Sequence, residues 1–113
     1  MVNVVLYQER NMESAEEEWM DLLLDLQFTH LASELFVYGF NTEELSEAIE
    51  RSLNVCRTMG IPVRQNFKPV YIYRDTAIIK DWRLSDLGRK LVILNGNGKN
   101  PYVAKLQIQL LNL

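Results

Sequence analysis

The sequence predicts a mainly helical α+β domain with one small antiparallel β-hairpin. Several segments begin with an N-cap residue and continue with apolar residues at helical spacing. One further stretch, on both sides of a tight turn, alternates in the manner of β-strands. At 113 residues, 48% apolar and 24% charged, the chain suits a single globular domain, residues 1–113, with a compact core of four to five helices. This layout is compatible with a winged-helix-like arrangement.

The acidic N-terminal part begins with residues 1–13, which are rich in β-branched residues and are interpreted as a strand or an arm. From Ser14 the pattern becomes helical, because Ser14 and Glu17 have the spacing of a capping box. Apolar residues then follow two adjacent stripes, which predicts a segment buried on more than one side. The stripes fit either one long helix or two helices, 14–26 and 29–38.

A further helix is predicted to begin at Asn41, whose side chain can cap the amide of Glu44, and to end at Gly60. Acidic helices thus occupy residues 14–59. Cys56 lies on the apolar face of this helix, which predicts a buried, unreactive thiol. Because it is the only cysteine, no internal disulfide can form, and a reducing, cytoplasmic location is expected.

Residues 60–113 are predicted to contain the hairpin followed by two apolar helices. The strands 70–73 and 77–82 alternate, so Tyr71 and Tyr73 share one face. That face either packs tyrosines across the strands or presents them to a ligand.

Ser85 is predicted to cap the first apolar helix, in which Gly88 marks the close approach of another element. Asn100 is predicted to cap the second. The Gly/Asn loop between them, residues 95–98, fits either a turn between packed helices or an anion site of backbone amides, although it lacks the spacing of a phosphate-binding loop.

The last helix carries apolar residues on more than one face, which predicts a homodimer that covers the surplus. These residues are Val103, Ala104, Leu106, Ile108, Leu110, Leu111 and Leu113.

Charge is divided unequally along the chain. Residues 1–56 hold two cations and twelve acids, a net charge of −10, whereas residues 57–113 hold ten cations and three acids, a net charge of +7. The two halves either attract each other within the fold or between subunits, or the basic half binds a nucleic acid or an acidic protein. The candidate binding residues are Arg64, Lys68, Tyr71, Tyr73, Arg74, Lys80, Arg83, Arg89 and Lys90.

Residue chemistry does not indicate an enzyme. His30 is the only histidine, interpreted as a helical residue, and no nucleophile, second metal ligand or paired carboxylates accompany it in the sequence. We therefore predict no catalytic residues, no metal and no cofactor. The opening residues lack the basic region of a secretory leader, and no apolar run approaches the roughly 18 residues of a membrane span, so neither secretion nor insertion is indicated.

The segment 31–113 resembles the DNA-damage-inducible protein D family and the related phage antirepressor (BRO-type) domains. The resemblance is carried by Leu84-Ser85, Leu91-Val92, Asn95-Gly96, Pro101, Ala104 and Gln107, with Ala48, Cys56, Gly60 and Phe67 upstream. In the lead-in Leu31-Ala32-Ser33, serine stands where the family has arginine. The resemblance implies a non-enzymatic regulatory protein that acts on DNA or on a DNA-bound protein. A structural or assembly protein is the alternative.

Overall fold

The computed structural model of the protein describes residues 12–112, apart from the side chains of residues 12–14, 21 and 24. The predicted N-terminal strand or arm lies outside the described residues up to residue 11, and residues 12 and 13 belong to a helix. The elements are α1 (Met12–Asp25), β1 (His30–Leu31), a 3₁₀ segment (Ala32–Tyr38), α2 (Thr42–Met59), a 3₁₀ turn (Val63–Gln65), β2 (Phe67–Arg74), β3 (Ala77–Leu84), α3 (Asp86–Leu94) and α4 (Pro101–Leu111). The predicted α+β class is confirmed.

The sheet has three antiparallel strands in the order β1-β3-β2. Strands β2 and β3 form the predicted hairpin, which is longer than the alternation indicated. Its two-residue turn places Asp75 at φ 51° and Thr76 at φ 63°, the pair of positive φ angles that a type I′ turn requires. Strand β1, which pairs His30 with Leu84, was not predicted.

Three of the predicted helix caps are confirmed. Asn41 caps α2 by accepting the amide of Glu44 at 2.8 Å. Ser85 caps α3 by accepting the amide of Gly88 at 3.0 Å. Asn100 caps α4 by accepting an amide two residues on, at 3.1 Å. Each signal is local, since the cap and its amide are two or three residues apart.

The core lies where α2, α3, α4 and the 3₁₀ segment meet the base of the hairpin. Cys56 is fully buried there, as predicted, and burial raises the pKa of its thiol. Other members are Leu35, Phe40, Ala48, Leu53, Phe67, Leu84, Val92, Ile93, Val103 and Leu106.

Two glycines let elements approach closely. A Cβ on Gly88 would lie 2.5 Å from the carbonyl oxygen of Asn66, which confirms the predicted close approach at α3. Gly96 lies in the loop between α3 and α4, where the side-chain amide of Gln107 donates to its carbonyl at 3.1 Å and to that of Ile93 at 3.0 Å. These contacts fit the turn between packed helices.

The N-terminal helical segment differs from the prediction. Helix α1 ends at Asp25, and residues 29–38 form a short strand and a 3₁₀ segment rather than a second α-helix. Ser14 lies inside α1 and not at its N-cap. None of the described side chains of α1 is buried, contrary to the prediction: Trp19, for example, is 62% exposed and Leu22 is 53% exposed.

Helix α4 directs much of its apolar surface into the chain's own core. Val103 and Leu106 are buried, and Leu110 packs against the same cluster. Ile108 and Leu111 remain exposed, while Leu113 lies outside the described residues. None of the helices described is long and apolar enough to cross a membrane.

Candidate functional site

The outer half of the hairpin presents an exposed surface of aromatic, aliphatic and basic side chains. The strand register pairs Tyr71 with Lys80 and Tyr73 with Ile78, so these four side chains share one face, here called the aromatic face. Tyr71, Tyr73 and Ile78 are 68%, 73% and 72% exposed. The ammonium group of Lys80 lies 4.7 Å from the ring centre of Trp82, a cation–π distance.

The opposite face of the hairpin borders a groove of about 570 Å³. Ile72, Arg74, Ile79 and Asp81 form this wall by register, and Lys80 and Trp82 of β3 also line it. The 3₁₀ segment and α2 supply the facing wall, with Phe36, Leu45, Ile49 and Glu50 among its residues.

Asp81 connects the two walls of this groove by a hydrogen bond. Its carboxylate is buried and accepts the amide of Ser33 at 3.1 Å and the amide of Trp82 at 2.7 Å. The bond to Ser33 ties the 3₁₀ segment to β3 across 48 residues of sequence. The groove is therefore assembled from distant parts of the chain.

Two of the predicted binding cations are engaged at the base of the hairpin. Lys68 donates to Asp25 at 2.6 Å, and this hydrogen bond holds the pKa of Asp25 below its usual value. Arg83 donates to the carbonyl of Phe28 at 3.1 Å. Both cations bind the end of α1 and the residues that follow it.

The remaining predicted cations lie on other elements. Arg64 is exposed in the 3₁₀ turn before β2, where it has a contact of its own. Arg89 and Lys90 lie in the first turns of α3, where their charges help to lower the pKa of Asp86. Of the nine predicted residues, Tyr71, Tyr73 and Lys80 share the aromatic face, and Arg74 lies on the opposite face.

His30 is a strand residue with a carboxylate partner, which corrects its interpretation as a helical histidine. Its Nε2 lies 2.6 Å from Asp86 Oδ1, and this hydrogen bond is the main reason that the pKa of Asp86 is lowered. Among the residues that the structure describes, no three His, Cys, Asp or Glu side chains are grouped so that they could hold a metal ion.

Sequence reasoning missed the groove, and it identified the apolar stripes of the first helix but expected them to be buried. Alternation along the strands could have placed Ile72 and Ile79 together, but Phe36 joins them only through the tertiary fold. Comparisons of the chain with family models, with curated proteins and with solved structures found no match.

Proposed function

We propose that the protein is a non-enzymatic, cytoplasmic regulatory module that contacts DNA through the aromatic face of its hairpin. The observation that carries the proposal is the exposure of Tyr71 and Tyr73 on the face that also holds Lys80. Aromatic rings stack on bases, and neighbouring cations neutralise phosphates, so this combination suits an unpaired or locally opened strand.

The resemblance to DNA-damage-inducible protein D and phage antirepressor domains supports a regulatory role on DNA or on a DNA-bound protein. Several residues that carry it have structural roles here: Ser85 caps α3, and Gln107 binds the loop between α3 and α4. A winged-helix-like use of the hairpin, with its free end against the nucleic acid, belongs to the same proposal.

The affinity should be modest, because the chain carries a net charge of −3. We expect binding at about micromolar concentration with about three or four phosphates neutralised. The logarithm of the binding constant should then fall by roughly 0.9 per phosphate for each tenfold rise in salt on duplex DNA.

The test is a fluorescence-anisotropy titration of single- and double-stranded oligonucleotides at about 50 and about 200 mM salt, a range over which phosphate contacts lose most of their affinity. Changing both Tyr71 and Tyr73 to Ala should weaken single-strand binding by about 1–3 kcal/mol per stacked base and affect duplex binding less. Lys80→Glu should weaken both. Lys105→Glu, an exposed reversal on α4, is the matched control.

Absence of binding at the lower salt would reject the nucleic-acid proposal. Equal losses in Lys80→Glu and in the Lys105→Glu control would show that only overall charge matters. The non-enzymatic part has its own test, since saturable turnover abolished by one substitution in a folded protein would contradict it.

A structural or assembly protein is the second candidate function. One observation favours it, namely the exposed apolar side chains of α1 beside a row of acids. Exposed apolar surface of this kind commonly marks a protein interface.

A further inference from the structure

Helix α1 carries an apolar stripe that nothing in the described part of the chain covers. Trp19, Leu22, Leu23 and Leu26 follow the i, i+3, i+4, i+7 spacing of one helical face. Their exposures are 62%, 53%, 40% and 71%. A helix with such a stripe is stable in water chiefly when the stripe packs against another surface.

The charge of α1 indicates what kind of surface that is. Residues 12–25 contain six acids and no cation. By helical geometry Glu16 and Glu18 flank the stripe on its two sides. Two copies of α1 paired stripe to stripe would bring these acids together, which is unfavourable. The partner surface should therefore be apolar and bordered by cations.

The groove beside the hairpin has this character. Ile72, Ile79 and Phe36 supply apolar walls, and Arg74 lies at its outer end with Lys80 nearby on β3. Asp81 is occupied by two backbone amides, which leaves Glu50 as the exposed acid among the groove residues. An amphipathic helix laid in a hydrophobic groove is a common mode of recognition.

The chain's own α1 does not occupy its own groove, since none of its described residues lines it. The Asp25–Lys68 ion pair at 2.6 Å fixes the end of α1 at the base of the hairpin. Phe28 is buried at 4% exposure, and its carbonyl accepts a bond from Arg83. These contacts anchor the link after α1 while its stripe stays exposed, so both the stripe and the groove are open to a second molecule.

We propose that α1 of one copy docks its apolar stripe in the groove of a second copy, and that the second copy does the same in return. Two identical contacts of this kind close a dimer with twofold symmetry. The proposal does not require DNA binding, because Tyr71 and Tyr73 lie on the opposite face of the hairpin from Ile72 and Ile79, and Lys80 alone belongs to both surfaces.

A charge-swap experiment tests the pairing by sedimentation or light scattering. The wild-type chain of 13.2 kDa should show twice that mass at tens of micromolar. A helix variant, Glu16→Lys with Glu18→Lys, and a groove variant, Arg74→Glu, should each weaken the dimer about tenfold or more, because like charges then meet. An equimolar mixture of the two should recover a dimer, since each altered surface finds its complement.

Two charge reversals outside both the stripe and the groove serve as controls. Glu17→Lys on the opposite side of α1 and Lys105→Glu on α4 should leave the mass unchanged. A groove variant that remains as dimeric as the wild type would overturn the proposal in favour of α1–α1 pairing. A wild-type mass near 13.2 kDa throughout would overturn it in favour of a monomer. None of these variants changes Lys80, Tyr71 or Tyr73. The dimer test and the DNA-binding test therefore use different substitutions, and one proposal can fail without the other.

Discussion

Thr76 occupies a backbone conformation that β-branched residues rarely adopt. Its φ of 63°, next to φ 51° at Asp75, belongs to a two-residue turn that favours glycine at this position. We expect Thr76→Gly to raise the free energy of unfolding by about 1 kcal/mol, because the left-handed conformation costs other residues about 1–2 kcal/mol. Urea denaturation measures the change.

The control for this substitution is Ala77→Gly. Ala77 is the next residue and has no positive φ, so glycine there should lower the stability of the strand or leave it unchanged. A gain at both positions, or at neither, would contradict the assignment of strain to Thr76.

Gly88→Ala should change the stability of the protein in the direction opposite to that expected from helix propensity. Alanine normally stabilises a helix by about 1 kcal/mol relative to glycine. Here a Cβ would lie 2.5 Å from the backbone oxygen of Asn66, so Gly88→Ala should destabilise the protein by about 1–3 kcal/mol. Gly98→Ala, where the nearest atom is 3.4 Å away, should show no comparable loss in the same thermal or urea unfolding assay.

The His30–Asp86 contact links acid stability to one hydrogen bond. The pKa of Asp86 is depressed by the hydrogen bond from His30 and then by the charges of His30, Lys90 and Arg89. A carboxyl group with a lower pKa in the folded than in the unfolded protein stabilises the fold at pH values above its unfolded pKa, near 3.8. This contribution is lost as the pH falls through the pKa of the folded state.

His30→Ala should therefore raise the pKa of Asp86 toward 3.8, as measured by NMR titration of the carboxyl carbon. At neutral pH the variant should have a lower free energy of unfolding than the wild type, because it lacks the His30–Asp86 hydrogen bond. This difference in stability should disappear in acid, where Asp86 is protonated in both proteins. Asp25, whose pKa is lowered by Lys68, serves as the internal control. An unchanged Asp86 pKa would contradict the role of the hydrogen bond.

Among the elements, local signals were sufficient for the hairpin and for three of the helix caps, whereas the capping-box spacing at Ser14 did not mark the start of α1. Asn41, Ser85 and Asn100 each satisfy an amide two or three residues away, so a short window contains the whole interaction. Alternation likewise placed Tyr71 and Tyr73 on one face. Their function as a binding site stays a prediction.

The segment after α1 could not be predicted in this way. Apolar spacing over 29–38 is compatible with an α-helix, but His30 pairs with Leu84 and Ser33 binds Asp81 about 50 residues further along the chain. Tertiary contacts thus decided the local structure. The same limit explains the groove, because its walls come from three separate segments.

Helix α4 has one buried and one exposed apolar side chain whose truncation should affect stability differently. Leu106 is 7% exposed in the core, so Leu106→Ala should cost about 2–5 kcal/mol of unfolding free energy. Ile108 is 58% exposed, so Ile108→Ala should change stability by less than about 0.5 kcal/mol. Ile108→Ala should also leave the molecular mass in solution unchanged. If Ile108→Ala instead shifted the protein toward the monomer, the dimer contact would involve α4.

At the scale of the whole molecule, a net charge of −3 opposes the approach of a polyanion even though the hairpin is basic and aromatic. Glu17, Glu34 and Glu43 are exposed acids outside the apolar stripe and the groove. Changing all three to Gln raises the net charge from −3 to zero and leaves both proposed contact surfaces intact.

This neutral variant should bind single-stranded DNA several-fold more tightly than the wild type at about 50 mM salt. The gain should shrink at higher salt, because the screening length falls from about 10 Å at 0.1 M to about 3 Å at 1 M. Fluorescence anisotropy measures both affinities. Adding Lys80→Glu should remove most of the gain if DNA lies on the aromatic face, since the attraction then loses its nearest cation. A gain that survives this reversal in full would place the bound DNA elsewhere on the molecule.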